Sequence, residues 1–354
     1  MMNKRRVMYV LITLIMSLVL ICSCTNSECE DIEVAGNEKE SSAEDTTIQT
    51  QEITTDENST DERETETEIE KETETETTSK PLPPNYIYDE VGDDTDKIVT
   101  LGDISIENDE LKDLEELLKQ CDYNISIKAV SMDGSKCISY NSQKEYFAAS
   151  TIKAPYLLYC YQQVDAGNGT FDEEMIYTSA YYREGTGDIK DSEEGTAYTL
   201  HELMRRTIWN SDNSAYLMCN KRWGKDGYNH LMEQLGIEKL KQPNHSIWVH
   251  DVRVDDFVMV WKSIYDYFQT ETEGAKAFYD STTHCKRNFF GQGIKNCVIA
   301  QKYVWTEETF ANAGIIYGEN EIYILAFFTE SQGDTEDKKM YGAIANEVHK
   351  LMDR

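Results

Sequence analysis

The sequence predicts a domain of the α/β (α+β) class, in which helices flank an antiparallel sheet and an all-helical lobe is inserted. Alternating apolar and polar residues, typical of strands, occur near the start of the domain at residues 124–131 and 136–141. Further strand segments are predicted near its end, at residues 297–303, 311–317 and 321–329. Strand segments at both ends, with helical segments between them, imply that the two ends assemble one sheet.

Helical spacing of apolar residues accounts for most of the remaining domain. The first two strands are joined by Asp133-Gly134, a pair that favours a tight hairpin turn. We predict helices at residues 111–121, 152–164, 228–235, 255–268 and 338–352, and two more within 200–223, separated by a short break. Most of these helices therefore lie between the second and third predicted strands and form the inserted lobe.

The negative charge of the chain is concentrated ahead of this domain. The formal net charge is −32, and residues 25–80 hold 20 Asp and Glu residues against four Lys and Arg residues. This balance excludes a general nucleic-acid binder, because polyphosphate would be repelled rather than neutralised. Glu-Thr alternation leaves few large apolar groups to bury, so we expect residues 24–94 to form a disordered acidic tether. The folded domain is expected to occupy residues 95–354.

The N-terminus has the features of an export signal. Basic residues at positions 4–6 precede an apolar run at 7–21, which is short for a membrane span and suits a signal peptide. The run ends in Cys22-Ser23-Cys24, which resembles the lipobox of bacterial lipoproteins. The resemblance implies that residues 1–23 are removed and that a lipid on Cys24 anchors the protein to the outside of the bacterial cell membrane. A signal peptide cut elsewhere and an uncleaved anchor are the alternatives.

The long apolar helix begins with a serine and a lysine three residues apart. In Ser150-Thr151-Ile152-Lys153, this spacing returns the lysine to the face of the serine one turn later. The positive end of the helix dipole lies at the serine oxygen. A neutral, partly desolvated lysine can take the hydroxyl proton, so the pair predicts a serine nucleophile.

Two further motifs follow in order along the chain. Ser211-Asp212-Asn213 comes about 60 residues later, and Lys302 lies in a late predicted strand. This series of S-x-x-K, S-D-N and a strand lysine resembles class A β-lactamases and penicillin-binding proteins, which are active-site-serine enzymes. The residues flanking the motifs also resemble that family, over about residues 105–354. The resemblance implies a β-lactamase/transpeptidase-like fold.

The resemblance also implies a role for each matching residue. Ser150 would be the nucleophile that forms an acyl-enzyme, with Lys153 as its proton acceptor. Ser211 would pass a proton to the leaving nitrogen, and Asn213 would bind the side-chain amide of the acyl group. Lys302 would supply positive charge for the proton path and for the carboxylate of the ligand.

Other residues are expected to shape the cleft. The backbone N–H of Ser150 and one near Trp305 would form the oxyanion hole. Asp212 is expected to be a buried structural carboxylate rather than a catalyst. Tyr181 or Tyr182, between the first two motifs, is a candidate for a wall of the cleft, with simple packing as the alternative.

The sequence also departs from the family. Residues 236–251 form a shorter loop without a Glu at the place where class A enzymes use one to activate water; His245 or His250 is a candidate substitute base. In Lys302-Tyr303-Val304 the family's short hydroxyl and glycine are both replaced, and Tyr303 and Trp305 are the candidate substrate-binding residues of this strand. Ala313 falls near the place of a carboxylate-binding Arg. These changes imply intact acylation, impaired deacylation and altered recognition of the ligand.

Three functions follow from this combination. The first is a β-lactamase-like serine hydrolase that acts on β-lactams or related amides with slow or altered turnover. The second is a D,D-peptidase or transpeptidase-like enzyme that acts on peptidoglycan stem peptides, because such relatives also lack the Glu. The third is an envelope-binding domain with a vestigial site. We expect no cofactor, no metal and a monomer.

The cysteines beyond the lipobox leave several pairings open. An exported protein can form disulfides, and Cys285 and Cys297 would close a short loop before the strand that carries Lys302. Cys160 and Cys219 fall on predicted helices and are expected to lie in the core.

Overall fold

The computed structural model describes residues 91–102, 104 and 110–354. Its strands form a six-stranded antiparallel sheet in the order β1-β3-β2-β8-β7-β6, and a two-stranded sheet of β4 and β5. The eight strands are β1 (Val99–Leu101), β2 (Ile125–Ser131), β3 (Cys137–Tyr140), β4 (Glu174–Ile176), β5 (Ala197–Thr199), β6 (Val298–Trp305), β7 (Phe310–Tyr317) and β8 (Ile322–Thr329).

Eight α-helices surround the large sheet within these residues. They are α1 (Glu110–Gln120), α2 (Lys153–Asp165), α3 (Leu200–Trp209), α4 (Asn213–Trp223), α5 (Asp226–Gln234), α6 (Val254–Phe268), α7 (Glu273–Thr283) and α8 (Thr335–Met352). Helices α2 to α7 all lie between β3 and β6 in the chain, with the two short strands among them. The predicted fold class is confirmed, with the large sheet assembled from both ends of the domain.

The two ends of the domain meet where β2 pairs with β8. The register runs from Ile125 opposite Thr329 to Ser131 opposite Tyr323. Each of the two strands is buried along most of its length, as expected for central strands covered on both faces. The pairing leaves β6, which carries Lys302, at the outer edge of the sheet.

Separate apolar clusters cover the two faces of the sheet. On one face the buried residues come from the inserted lobe and include Tyr161, Trp261 and Phe278. On the other face, α1 and α8 pack on the sheet, and the ring of Tyr341 stacks on Phe327 at 3.9 Å between centroids. The face covered by the lobe is the one that positions the candidate site.

The predicted elements match the structure within a few residues, with three omissions. The sequence analysis missed β1, the small β4-β5 sheet and helix α7. Helix α7 contains a glycine and two threonines and so lacks a strong helical signal. It begins where the Thr272 side chain accepts a hydrogen bond from Ala275 N–H, and it buries Ala275 and Phe278. A side-chain cap and tertiary packing therefore outweigh weak propensity.

The suggested disulfide between Cys285 and Cys297 is wrong, because all six described cysteines are free. The Cys285 thiol faces the carbonyl oxygen of Gln301 at 3.1 Å. The Cys297 thiol instead lies 3.6 Å from Nε2 of His349 on α8. The two thiols thus contact different partners. Both Cys160 and Cys219 are fully buried in the core of the lobe.

The folded part of the chain begins before residue 95. Asp94 is buried, and its carboxylate accepts hydrogen bonds from the Ser139 hydroxyl at 2.6 Å and the Ser142 N–H at 2.9 Å. Val91 is buried as well. The signal peptide, Cys24 and most of the tether lie outside the described residues. Within the described ranges, no helix combines the length and apolar character needed to cross a membrane.

Candidate active site

Ser150 lies in a 3-10 turn, Ala149–Ile152, that leads directly into α2. The other three residues of the turn are buried, whereas Ser150 is partly exposed. Ala149 has φ +43°, a left-handed conformation that is costly for a residue with a Cβ and reflects constraint by its surroundings. Thr151 holds the turn through bonds to the carbonyl oxygen of Ala148. Ser150 is therefore partly exposed at a constrained turn just before α2.

Lys153 is fully buried, and its amine faces the second motif. The amine donates hydrogen bonds to the Ser211 carbonyl oxygen at 2.6 Å, the Ser211 hydroxyl at 3.1 Å and Asn213 Oδ1 at 2.6 Å. The sequence analysis expected the amine to approach the Ser150 hydroxyl. No hydrogen bond joins Lys153 to that hydroxyl in the described part of the chain.

Two aromatic rings complete the surroundings of the Lys153 amine. The ring centre of Tyr216 lies 5.7 Å from Nζ, and that of Trp248 lies 5.5 Å from it. Burial, together with the positive charge of Lys302, lowers the pKa of Lys153 well below its usual value, while Asp212 opposes the shift. A neutral amine can accept a proton, so the site has a base next to Ser211.

Ser211 and Asp212 have distinct parts in the second motif. Ser211 has φ +62°, and its carbonyl oxygen also accepts a bond from the Thr186 hydroxyl at 2.7 Å. The buried Asp212 carboxylate accepts bonds from the backbone N–H groups of Ala215, Asp188 and Ile189, at 2.8 to 3.0 Å. Asp212 therefore caps α4 and fixes the adjacent loop, as a structural carboxylate would.

Asn213 has both ends of its side-chain amide engaged. Its Oδ1 accepts from Lys153, and its Nδ2 donates to the Glu184 carbonyl oxygen at 2.7 Å. Gly185, next in the loop, has φ +96°, and a Cβ there would lie 2.7 Å from Asn213 Nδ2. The loop thus packs closely on the motif. A ligand amide would have to compete with these partners for Asn213.

Lys302 is fully buried on β6, but its amine does not reach Ser211. It donates to the Tyr303 carbonyl oxygen at 3.0 Å and lies 4.0 Å from the centre of the Tyr303 ring. Burial lowers the pKa of Lys302 to about 8, partly opposed by Cys285. Lys302 therefore carries a positive charge near Lys153 at neutral pH, and loses it at moderately alkaline pH.

The residues after Lys302 differ in their exposure. Tyr303 is buried edge-on against Phe289, with 5.6 Å between ring centroids. Val304 and Ala313 are buried in the core of the lobe. Trp305 is 42% exposed, and its indole N–H donates to the Gln332 carbonyl oxygen. Of the predicted binding residues on this strand, only Trp305 offers a side-chain surface to a ligand.

Among the other candidates, Tyr182 is 49% exposed, at the end of a short 3-10 turn, Ser179–Tyr181. His245 and His250 have exposed rings. The His250 ring stacks on Phe147 with 4.2 Å between centroids. Neither histidine has a hydrogen bond to Ser150 or Lys153 within the described ranges. The geometry gives neither ring a contact that a substitute base would need.

Trp248 and Tyr216 are site residues that the sequence analysis missed. Tyr216 lies one turn after Asn213 on α4, so its position on the same helix face was a usable signal. Trp248 is the single Trp, Tyr or Phe residue in the loop 236–251. Nothing in the sequence indicated that its ring contacts Lys153.

No cluster of His, Cys, Asp and Glu residues that could hold a metal ion is found in the parts of the chain that the structure describes. The expected absence of a metal or cofactor stays a prediction.

Comparison with known proteins gives one family and many similar folds. Residues 110–352 match the family described as "Beta-lactamase enzyme family". PBP-A is 18% identical, with a TM-score of 0.62 over 69% of this chain and 96% of PBP-A. A β-lactamase from Sphaerobacter thermophilus DSM 20745 is 19% identical, with a TM-score of 0.60 over 68% of this chain and 96% of its own.

Two further structures extend this likeness. A class A β-lactamase from Bacteroides cellulosilyticus DSM 14838 is 19% identical, with a TM-score of 0.58 over 68% of this chain and 96% of its own. A PBP-A variant in an acyl-enzyme complex with penicillin G is 18% identical, with a TM-score of 0.62 over 69% of this chain and 96% of its own. At these identities the likeness shows the fold. None of the curated proteins matches the chain.

Proposed function

We propose, because the chain belongs to the beta-lactamase enzyme family, that it is a serine hydrolase that forms an acyl-enzyme on Ser150. Its substrates are β-lactams or related amides, and it releases the acyl group slowly. The observation that carries the proposal is the buried Lys153 amine, with its lowered pKa and its contact to the Ser211 hydroxyl.

Acylation uses three side chains in this proposal. The Ser150 oxygen attacks the amide carbonyl carbon, and neutral Lys153 takes the hydroxyl proton. As the C–N bond breaks, Ser211 gives its proton to the leaving nitrogen and receives one from Lys153 in return. In its neutral form the Lys153 amine has two N–H groups, which the Ser211 carbonyl oxygen and Asn213 Oδ1 can accept, so its lone pair can face the Ser211 hydroxyl. The positive charge of Lys302 favours this transfer and attracts an anionic ligand.

Slow release of the acyl group follows from the loop at residues 236–251. Hydrolysis requires a base that holds and deprotonates a water molecule beside the ester. The loop residue whose side chain contacts Lys153 is Trp248, and an indole accepts no proton. The exposed His245 and His250 rings lack a contact with either Ser150 or Lys153.

The second candidate is a D,D-peptidase or transpeptidase-like enzyme acting on peptidoglycan stem peptides. The observation that favours this second function is the contact between the Trp248 ring and the Lys153 amine. An acyl-enzyme that is shielded from water can persist until another acceptor arrives. A vestigial binding domain is less well supported, since the lowered pKa of Lys153 and the partly exposed Ser150 suit a reactive site.

We propose the same location for either activity. Residues 1–23 direct export, and a lipid on Cys24 holds the protein on the outer face of the cell membrane, with the acidic segment as a spacer. Replacement of Cys24 by Ala should release the protein into the medium, whereas cell retention of that variant would contradict the anchor. Gel filtration of the soluble chain should give the mass of a monomer.

The test of acyl-enzyme formation is intact mass against time after mixing with penicillin G. The protein is the chain without its first 24 residues, and Ser150→Ala is the control. An adduct of the mass of penicillin G that persists in the wild type and is absent from Ser150→Ala supports the proposal. Rapid product formation would contradict slow release. An unmodified wild-type protein with no product would contradict the acylation itself.

A further inference from the structure

The loop at residues 236–251 covers the Lys153 amine with an aromatic wall. The indole of Trp248 lies 5.5 Å from Nζ and packs on Tyr216, with 5.3 Å between ring centroids. Tyr216 lies on another side of the same amine, 5.7 Å from it. Two rings from different parts of the chain thus enclose one buried amine.

The backbone on both sides of Trp248 is fixed. The carbonyl oxygen of Ile247 accepts a bond from the Tyr216 hydroxyl at 3.0 Å. The carbonyl oxygen of Val249 accepts from Ala148 N–H at 3.1 Å, two residues before Ser150. The backbone N–H of Trp248 donates to the Ser246 hydroxyl at 2.9 Å. The position of the indole is therefore tied both to the helix of the second motif and to the turn of the nucleophile.

The aromatic wall leaves few polar groups beside the Lys153 amine that could bind a water molecule. A water molecule held in a protein makes about three hydrogen bonds, and general-base catalysis requires a proton acceptor among its partners. The three hydrogen bonds of the Lys153 amine all go to Ser211 and Asn213. On the loop side it meets the faces of two rings. The surroundings of the amine thus offer little to hold a hydrolytic water there.

We propose that Trp248 is a specificity-determining residue that keeps water from the acyl-enzyme and leaves the acyl group to an amine acceptor. This inference rests on the proposed acyl-enzyme at Ser150. The amine nitrogen attacks the ester carbonyl carbon, a C–N bond forms, and the bond from that carbon to Ser150 Oγ breaks. The amine proton returns to Ser150 Oγ through Lys153. The products are an amide and the free serine, and no other reactant is consumed.

The access of water to the acyl-enzyme should depend on the side chain at residue 248. Trp248→Ala opens space beside Lys153, and Trp248→Glu places a carboxylate there that can act as a base. Both variants should shorten the lifetime of the penicillin G adduct by at least about tenfold, with Trp248→Glu having the larger effect, because a positioned base contributes roughly 10²–10⁴-fold. Asn244→Ala, an exposed change in the same loop, is the matched control and should leave the lifetime within about twofold.

The experiment follows the decay of the adduct by intact mass on the chain without its first 24 residues. Each variant is first checked by thermal unfolding, and Trp248→Phe, which keeps an aromatic wall, supplies a second test. Shorter lifetimes in the Ala and Glu variants, with Trp248→Phe close to the wild type, support the inference.

The second readout is the fate of the acyl group when D-alanine is present as the amine acceptor. The wild type should give the amide, and Trp248→Glu should give mostly the hydrolysed acid. Unchanged lifetimes and product ratios in folded Ala and Glu variants would overturn the role of Trp248 while leaving the acyl-enzyme in place. If the wild type forms no adduct, the proposed function fails, and the inference fails with it.

Discussion

The Lys153 amine donates to both oxygens of Ser211, at 2.6 Å to the backbone carbonyl and 3.1 Å to the hydroxyl. Lys153 thus holds both the backbone and the side-chain hydroxyl of Ser211, across 58 positions in the chain. The first bond holds the left-handed backbone at Ser211 and the second connects the proposed proton path, so the two contributions can be separated by substitution.

Ser211→Ala and Ser211→Gly should both slow formation of the penicillin G adduct by about 100-fold or more, because each removes the hydroxyl that is proposed to pass the proton. Their stabilities should differ. Glycine adopts φ +62° without strain. The free energy of unfolding in urea should therefore be about 0.5–1 kcal/mol higher for Ser211→Gly than for Ser211→Ala. Adduct formation at the wild-type rate in either variant would contradict the role of the hydroxyl.

The rate of adduct formation should depend on pH through both lysines. It should rise with pH as Lys153 becomes neutral, since the pKa of Lys153 is well below its usual value. It should fall again above the pKa of Lys302, about 8, as that charge is lost. In Lys302→Gln the alkaline limb should disappear. The acidic limb should move to higher pH, because the charge of Lys302 helps to lower the pKa of Lys153.

The measurement for this prediction is the second-order rate constant with penicillin G from about pH 5 to about pH 10, a span in which lysines with lowered pKa values titrate. Lys302→Arg keeps the charge and should retain activity at alkaline pH. A profile of Lys302→Gln that overlays the wild type would exclude Lys302 from the alkaline limb.

Asp212→Ala should destabilise the domain by about 3 kcal/mol or more, because it leaves three backbone N–H groups without their carboxylate acceptor. The measurement is the free energy of unfolding in urea. Asp191→Ala is the control, since that exposed side chain lies in the same loop, and it should change stability by less than about 0.5 kcal/mol. Equal effects of the two substitutions would show that Asp212 does not anchor the loop.

A buried ion pair between Lys128 on β2 and Asp255 on α6 gives a fourth prediction. Their charged atoms are 3.0 Å apart, with the Lys128 side chain 1% exposed. Asp255→Ala should cost about 3–5 kcal/mol, because it removes the carboxylate beside a buried ammonium group. The double variant Lys128→Met, Asp255→Leu should recover most of that loss in urea unfolding.

The control for this pair is an exposed one, Lys119 and Glu115. Lys119→Ala should alter the free energy of unfolding by less than about 1 kcal/mol, because exposed pairs contribute little. A double variant at Lys128 and Asp255 as unstable as Asp255→Ala would contradict the assignment of the loss to the ion pair of these two residues.

The fold was predictable because most of its elements have strong periodicity. The apolar runs of β7 and β8 are typical of strands buried on both faces, and the apolar face of α6 is typical of a helix packed on one side. Helix α7 and the β4-β5 sheet were not predictable, since their segments have weak patterns and are fixed by caps and neighbours. Tertiary packing, rather than the intrinsic propensity of the residues, therefore determines the secondary structure of these two segments.

The site was only partly predictable. The motifs identified Ser150, Lys153 and Ser211 because their spacing follows from helix geometry and from the family's order. The resemblance implied no aromatic wall, because contact between Trp248 and Lys153 depends on how a loop folds back over a helix. The direction of the Lys302 amine, toward the Tyr303 carbonyl oxygen, likewise depends on packing at the sheet edge.

The order of strands in the large sheet has a consequence for biogenesis. The central pair, β2 with β8, joins segments about two hundred residues apart in sequence, a separation that slows folding. Until β8 has left the ribosome, β2 lacks one of its neighbours and the sheet cannot be completed. The N-terminal export signal proposed above would by then have engaged its machinery. The late closure of the sheet would thus keep the chain unfolded for passage through the membrane.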